Sequence, residues 1–430
     1  MKLYTYQTKL SSKKRDEKKK RFLHIILHII LFLILFSNSV LRNQEHLKLY
    51  IGVALIIGIY AFFRGLLKPS RISKTVVSSF AVWLLVLFFM YFFYGVVLTK
   101  YNHFDADYFF FMFVVTLVTR LLFIDIHYKT MMEIFIKVCA FASVAVSVYI
   151  LVNEWSLIIS GGTRIGESGS GNVNTVAVYL GIMSIPIIYK VVFERKYNYL
   201  IPYSLSIVLM LLTGSKKALL FVVLGPVILL ILKNRLRLHK YILPTLTIIV
   251  LVFFMFNNEY LYNIIGFRVI DFLGTLGFNI EGAEYSNSTA LRLMMYKLGY
   301  EAFKSKPIFG GGWFYFSSYS GLGTYSHSNY MELLVTYGII GFLIYYSMFL
   351  TVLVRLKRII RLNDYAKLLF SMLLLIFIND FAAVSFSFNI LNYQVLALGY
   401  LFIEGIQKEK IMQNQRKDDV YEKTINSYRL

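Results

Sequence analysis

Apolar residues run along this chain in blocks of about 20, the length an α-helix needs to cross a bilayer. The blocks fall at about 22–41, 47–63, 75–98, 104–124, 131–152, 172–193, 198–213, 217–232, 240–257, 330–354, 366–386 and 388–405. None alternates apolar and polar positions as barrel strands do. The pattern therefore predicts an all-α polytopic membrane protein with about twelve transmembrane helices. The 198–213 and 217–232 pair is short and the last two blocks nearly touch, so ten or eleven spans remain open. The first block is too long for a signal-peptide core and lacks a small-residue cleavage site, which predicts a retained span. The chain divides into a basic tail (1–21), nine helices (22–257), a large loop (258–329), three more helices (330–405) and a second tail (406–430).

Composition agrees. The chain is 58% hydrophobic and 16% charged, against about 25% charged in soluble domains. The net charge of +22 raises the question of nucleic acid, but its placement answers otherwise. With the N-terminus inside and the helices alternating, the inner segments hold about 32 of the 45 Lys and Arg and the outer segments about 11, as the positive-inside rule requires. The charge is an orientation signal, with attraction to anionic inner-leaflet lipid added, and no nucleic-acid partner is expected. Both termini are expected on the cytoplasmic side. A single cysteine, Cys139, can form neither an internal disulfide nor a metal cluster. Arg120 and Lys137 lie within spans near their cytoplasmic ends and are read as snorkelling to the interface.

The 258–329 connection is long, and loops above about 15 residues are usually functional or disordered. It is rich in Tyr, Phe, Ile and Leu, so it should fold into an extracytoplasmic cap.

Four polar features fall on the outer face. The first is the loop S-G-G-T-R-I-G-E-S-G-S-G-N-V-N-T, with Arg164 among glycines and Asn172 and Asn174 at its end. Its amides can form an anion-binding concavity at a helix start; a flexible turn is the plain alternative. The second is L-T-G-S-K-K-A-L-L, where Lys216 and Lys217 stand against the orientation rule; two snorkelling lysines would also fit. The third is the helix around Arg292. Leu291, Met294, Met295, Leu298 and Ala302 form an apolar stripe and Lys297, Glu301 and Lys304 a solvated face. Arg292 belongs to neither and aligns with Tyr296, Gly299 and Phe303, so an anionic partner is expected, either a salt bridge or a ligand. Pro307 and the turn Gly310–Gly312 follow. The fourth is H-S-N-Y-M-E, with His327 at a helix start that Ser328 or Asn329 can cap. Glu332 lies one turn further in, where a carboxylate needs a partner, His327 or a cation. The aromatics Trp313, Phe314, Tyr315, Phe316 and Tyr319 lie close in sequence. Cations suit a diphosphate and aromatic faces with hydroxyls suit sugars. With no carboxylate cluster at metal spacing, the expected reaction uses no metal and no cofactor.

Together, P-I-F-G-G-G-W and H-S-N-Y-M-E-L-L-V-T-Y-G-I-I-G-F resemble the signature of the O-antigen ligase/polymerase superfamily, the Wzy and WaaL type. The resemblance rests on Pro307, Gly310, Gly312, His327, Ser328, Tyr330, Gly338 and Gly341, on L-T-G-S-K-K-A-L-L, and on Arg164 with G-N-V-N-T-V-A, over about 155–345. One departure is Lys216, which stands where the family carries arginine and so loses bidentate geometry. The resemblance implies a GT-C-like membrane glycosyltransferase that moves a glycan from undecaprenyl diphosphate to a hydroxyl. Arg164, Lys216, Lys217 and Arg292 would bind the diphosphate, with Arg292 and His327 catalytic and Trp313, Tyr315, Tyr319 and Glu332 as glycan contacts. Lys/Tyr/Ile/Asn bias, like that of low-GC Gram-positive proteins, and the aromatic cap favour a capsular or exopolysaccharide repeat-unit polymerase in the cytoplasmic membrane. A flippase and a chain-length regulator are possible partners. A ligase is the alternative. A lipid-linked oligosaccharide flippase is a rival of another class, but it would be expected to show internal repeats and midplane polar sites.

Overall fold

A computed structural model describes residues 22–36, 39–40, 126–160, 164–168, 172–233, 257–259, 287–386 and 389–428, with single positions at 59, 82, 85, 89, 119, 123, 262, 266 and 270. Among the described residues the chain is helical and has no strand. The main helices are α1 (Tyr128–Asn153), α2 (Val173–Glu194), α3 (Leu200–Leu212), α4 (Lys216–Leu232), α5 (Asn287–Ser305), α6 (Tyr315–Ser320), α7 (Asn329–Ile359), α8 (Asp364–Asn379) and α9 (Ile390–Tyr428). Three of them, α1, α2 and α7, are long and apolar enough to cross a membrane, and Phe22–Phe36 is a shorter apolar helix. This is consistent with a polytopic membrane protein. The expected spans at 47–63, 75–98, 104–124 and 240–257 lie almost wholly outside the described residues.

Helix α2 is the hub. It packs against α1, α3, α4 and α8. It is apolar on every face, which is the pattern of a helix surrounded by protein, and it is the most completely buried of the three long apolar helices. Its far end carries Lys190, fully buried, which forms ion pairs with Glu133 of α1 and Glu194 of α2. The Tyr365 hydroxyl of α8 donates to the same Glu133. A buried ammonium needs such partners, and these tie three helices at one end of the bundle.

Two expected spans change shape. Residues 366–386 are not one helix: α8 stops at Asn379, and 380–386 form a turn. Asp380 makes that turn. It is 1% exposed, and its carboxylate accepts from Asn329 Nδ2 at 3.0 Å, Tyr346 OH at 3.0 Å and Ser385 Oγ at 2.6 Å. Asn329 completes the knot by accepting from the Ser385 and Phe386 amides, both at 2.8 Å. Helix α9, in turn, continues unbroken past 405 to Tyr428, through the region expected as a tail.

Helix α7 breaks at Gly338, whose φ of 64° and ψ of −169° are open to glycine alone. In an unbroken helix the Val335 and Thr336 carbonyls would pair with the Ile339 and Ile340 amides. Here all four groups turn to the Pro307–Gly312 segment. Gly311 N donates to Val335 O at 2.8 Å and Gly312 N to Thr336 O at 2.9 Å. Ile339 N donates to Pro307 O at 2.9 Å and Ile340 N to Ile308 O at 3.3 Å. The approach is so close that a Cβ on Gly338 would overlap the Ile308 carbonyl, and one on Gly310 the Thr336 carbonyl. The turn after α5 is thereby spliced into α7.

In the 258–329 region the described part is folded. Helices α5 and α6 pack on each other and on α7 around Met295, Ala302, Phe316 and Val335.

Candidate functional site

A cleft of roughly 300 Å³ opens where several helices begin. Asn172, Asn174 and Thr175 enter it from the start of α2, Lys217 from the first turn of α4, and His327 from the residue before the α7 cap. Arg292 of α5 and Asn379, Ser385 and Asn389 around the Asp380 turn complete its polar wall. No acid lines it. Among the described residues neither Lys217 nor Arg292 has a carboxylate partner. Helix N-termini present positive potential and free amides, so the cations and the helix starts act in the same sense. Such an arrangement can take an anion with several oxygens.

Each basic group has a local reason to be there. Arg292 lies on the line Arg292–Tyr296–Gly299–Phe303, the side of α5 that turns inward. The Tyr296 hydroxyl donates to Phe381 O at 2.5 Å, one turn from Arg292, and docks that end of the helix on the Asp380 turn. Gly299 packs against Met331. The expected stripe is only half right: Met295 and Ala302 are buried, but Leu291 and Met294 are 43% and 49% exposed. Lys297, Glu301 and Lys304 are exposed as expected. Lys217 is set by the T-G-S turn, in which Thr213 Oγ1 accepts from Ser215 N at 3.2 Å and Ser215 Oγ donates to Asn174 Oδ1 at 2.8 Å. That bond joins the α4 start to the α2 start. His327 adopts a left-handed φ of 57°, and its ring packs on Tyr325 at 4.5 Å between centroids. Ser328 is the α7 cap, accepting from Met331 N. Burial, then the charges of Arg292 and Lys217, push the His327 pKa down to about 4. The ring is therefore neutral at neutral pH and can accept a proton.

The other sequence-chosen residues distribute themselves differently. Arg164 is exposed and does not line the cleft. The amides of its glycine-rich loop do bind an anion, but an internal one. Gly166 N and Ser168 N both donate at 2.6 Å to the carboxylate of Glu154, which is 8% exposed. Glu154→Ala is expected to destabilise the fold by about 1–3 kcal/mol, since it strands two amide donors. Hydrogen exchange at residues 165–168 should accelerate, and unchanged protection there would refute this role. Lys216 opens α4, and its backbone is what the structure describes. Trp313 and Glu332 line a second cavity beside the first. Glu332 finds neither His327 nor a cation: its Oε2 accepts from Ser326 N at 2.7 Å, in the segment just before its own helix. Tyr315 and Tyr319 line neither cavity. Tyr315 shares a 2.9 Å hydrogen bond with Ser305, and its ring meets that of Tyr319 at a tilt of 52°.

Sequence reasoning passed over Asp380, Asn379, Ser385 and Asn389. The signal was available for one of them. Asp380 interrupts the apolar run 366–386, and an ionisable residue inside such a run marks a structural or functional knot.

Helical throughout its described residues and strongly apolar, the chain has the features of an integral membrane protein, with a cationic cleft where several helices begin. Residues 201–346 match the family model Wzy_C, described as O-Antigen ligase, and the match supports the O-antigen ligase/polymerase superfamily for this chain. Members of that family are glycosyltransferase-like enzymes acting on lipid-linked oligosaccharides. The matched stretch runs from α3 into α7. It contains Lys217, Arg292 and His327 and leaves out Arg164. No curated protein matches the chain.

Proposed function

We propose that the protein is a polysaccharide polymerase. It transfers a growing glycan from undecaprenyl diphosphate to the next lipid-linked oligosaccharide repeat unit at the outer face of a bacterial cytoplasmic membrane. The supporting observation is the convergence of Lys217, Arg292 and His327 on one acid-free cleft at the starts of α2, α4 and α7. Lys217 and Arg292, with Lys216 beside them, hold the donor diphosphate and stabilise the charge that develops as it departs. The acceptor hydroxyl oxygen attacks the anomeric carbon from the opposite face while the bond to the diphosphate oxygen breaks. The hydroxyl proton passes to the neutral His327 ring, and undecaprenyl diphosphate leaves. The displacement inverts the anomeric centre and uses no metal. Arg164, on the exposed loop beside the α2 start, meets the substrate at the rim. Both termini lie in the cytoplasm, and a flippase supplies the repeat units.

The test is incubation of purified protein with lipid-linked repeat units. Elongated lipid-linked product supports the polymerase. Transfer solely to another acceptor replaces it with a ligase, and translocation without transfer replaces both with a flippase.

The position of His327 also predicts a pH profile. A general base must be deprotonated, and its folded pKa is about 4. The acid limb of kcat/KM, which reports the free enzyme, should therefore fall near pH 4, well below an ordinary histidine near 6.5. Activity is retained above that limb and lost as pH drops through it. A limb between pH 6 and 7 would remove His327 as the base.

A further inference from the structure

Next to the cationic cleft lies a cavity of roughly 250 Å³ with the opposite character. Trp313, Phe314, Tyr325 and Phe386 supply aromatic faces, and Glu332 and Thr336 supply polar groups. Trp313 is fixed edge-on to Phe386 at 5.5 Å between centroids. Glu332 is buried at 7% exposure, held by the Ser326 amide. No lysine, arginine or histidine lines this space. Tyr325 and Val384 line both cavities, so the two adjoin.

The pair divides a substrate by charge. One chamber has bases and no acid. Its neighbour has an acid and no base, within walls to which four aromatic side chains contribute. A diphosphate is favoured in the first and finds no cation in the second. The size of the second, just under the usual range for ligand cavities of roughly 300–1,000 Å³, suits one ring rather than an oligosaccharide. Aromatic faces take the C–H face of a sugar, and a buried carboxylate accepts from its hydroxyls. A uronic acid would bring a second carboxylate beside Glu332 with no cation to offset it.

We infer that the Trp313–Glu332 cavity is a subsite for a single uncharged sugar ring, the one adjoining the diphosphate in the cleft, and that Glu332 excludes acidic sugars from it. This rests on the transferase reading of the cleft but can fail separately. The protein has three tryptophans, so Trp83→Phe with Trp155→Phe leaves Trp313 as the sole emitter. This full-length protein in nanodiscs is titrated with methyl glucoside, methyl N-acetylglucosaminide, methyl glucuronide and inorganic diphosphate, following Trp313 emission. The two neutral glycosides should bind at least about tenfold more tightly than the glucuronide, the penalty of one uncompensated buried charge. Glu332→Gln, which keeps the shape, should bring the glucuronide to within about threefold of the neutral sugars. Equal or tighter glucuronide binding in the unsubstituted Glu332 protein overturns the inference. So does the absence of any glycoside response. If elongation of lipid-linked units persists in either case, the transferase reading stands while the subsite falls. Neutral-sugar binding with no transfer product gives the converse.

Discussion

Arg292→Ala is expected to lower the rate of glycan transfer by about 10²–10³, the usual cost of deleting one preorganised donor to a developing anion. The side chain has no other employment: it lines the cleft and has no carboxylate partner among the described residues. Removing it should leave the fold intact, because the docking of α5 rests on Tyr296 and on the Met295–Phe316 packing. Arg292→Lys keeps the charge and loses the planar fork, so it should recover part of the rate. The measurement is elongation of lipid-linked repeat units by purified protein, alongside thermal unfolding of each variant. An alanine variant within threefold of the parent, at equal folded content, would remove Arg292 from the site. Loss of melting temperature in step with loss of rate would make its role structural.

Gly338→Ala should do something different: it should leave little folded protein. Two costs add. A non-glycine residue at this φ and ψ is strained by about 1–3 kcal/mol, and the new Cβ would overlap the Ile308 carbonyl. Relief requires the turn to withdraw, which breaks the four hydrogen bonds between Pro307–Gly312 and Val335–Ile340. The total is expected to exceed about 3 kcal/mol, in the range of the most damaging single substitutions. Gly321→Ala is the control. Gly321 also has a positive φ, 68°, but nothing lies within 4 Å of an added Cβ. It should cost about 1 kcal/mol, from backbone strain alone. Size-exclusion profiles and unfolding of the two variants separate the contributions. Equal stability of the two would mean that the splice contributes nothing.

These two positions also mark what the sequence made legible. The apolar blocks located α1 to α4 and α7 to within about five residues, because a span must be long and continuous, while the block at 366–386 ran past the end of α8 at Asn379. Arg292 stood out because it fitted neither face of its own helix, and the structure places that line of residues inward. His327 and the lysines of L-T-G-S-K-K were visible as polar groups out of place. What sequence could not supply was partnership. The amides of the glycine-rich loop looked available to a ligand, yet Glu154 occupies them from twelve and fourteen residues upstream. Glu332 looked as though it needed His327 and instead takes a backbone amide. The knot of Asp380, Asn329, Tyr346 and Ser385 joins three separated stretches, and no local pattern announces such a knot beyond the one misplaced acid.

The glycine signature takes on a mechanical meaning at this point. Along the chain Arg292 and His327 are joined by a long path through α5, α6 and an open loop. The splice at Gly338 adds a second one, from the end of α5 directly into the backbone of α7. The end of α5 cannot slide along α7 without opening all four bonds at once. The Pro-to-Gly turn thus fixes the register of α5, which carries Arg292, against α7, whose start follows His327.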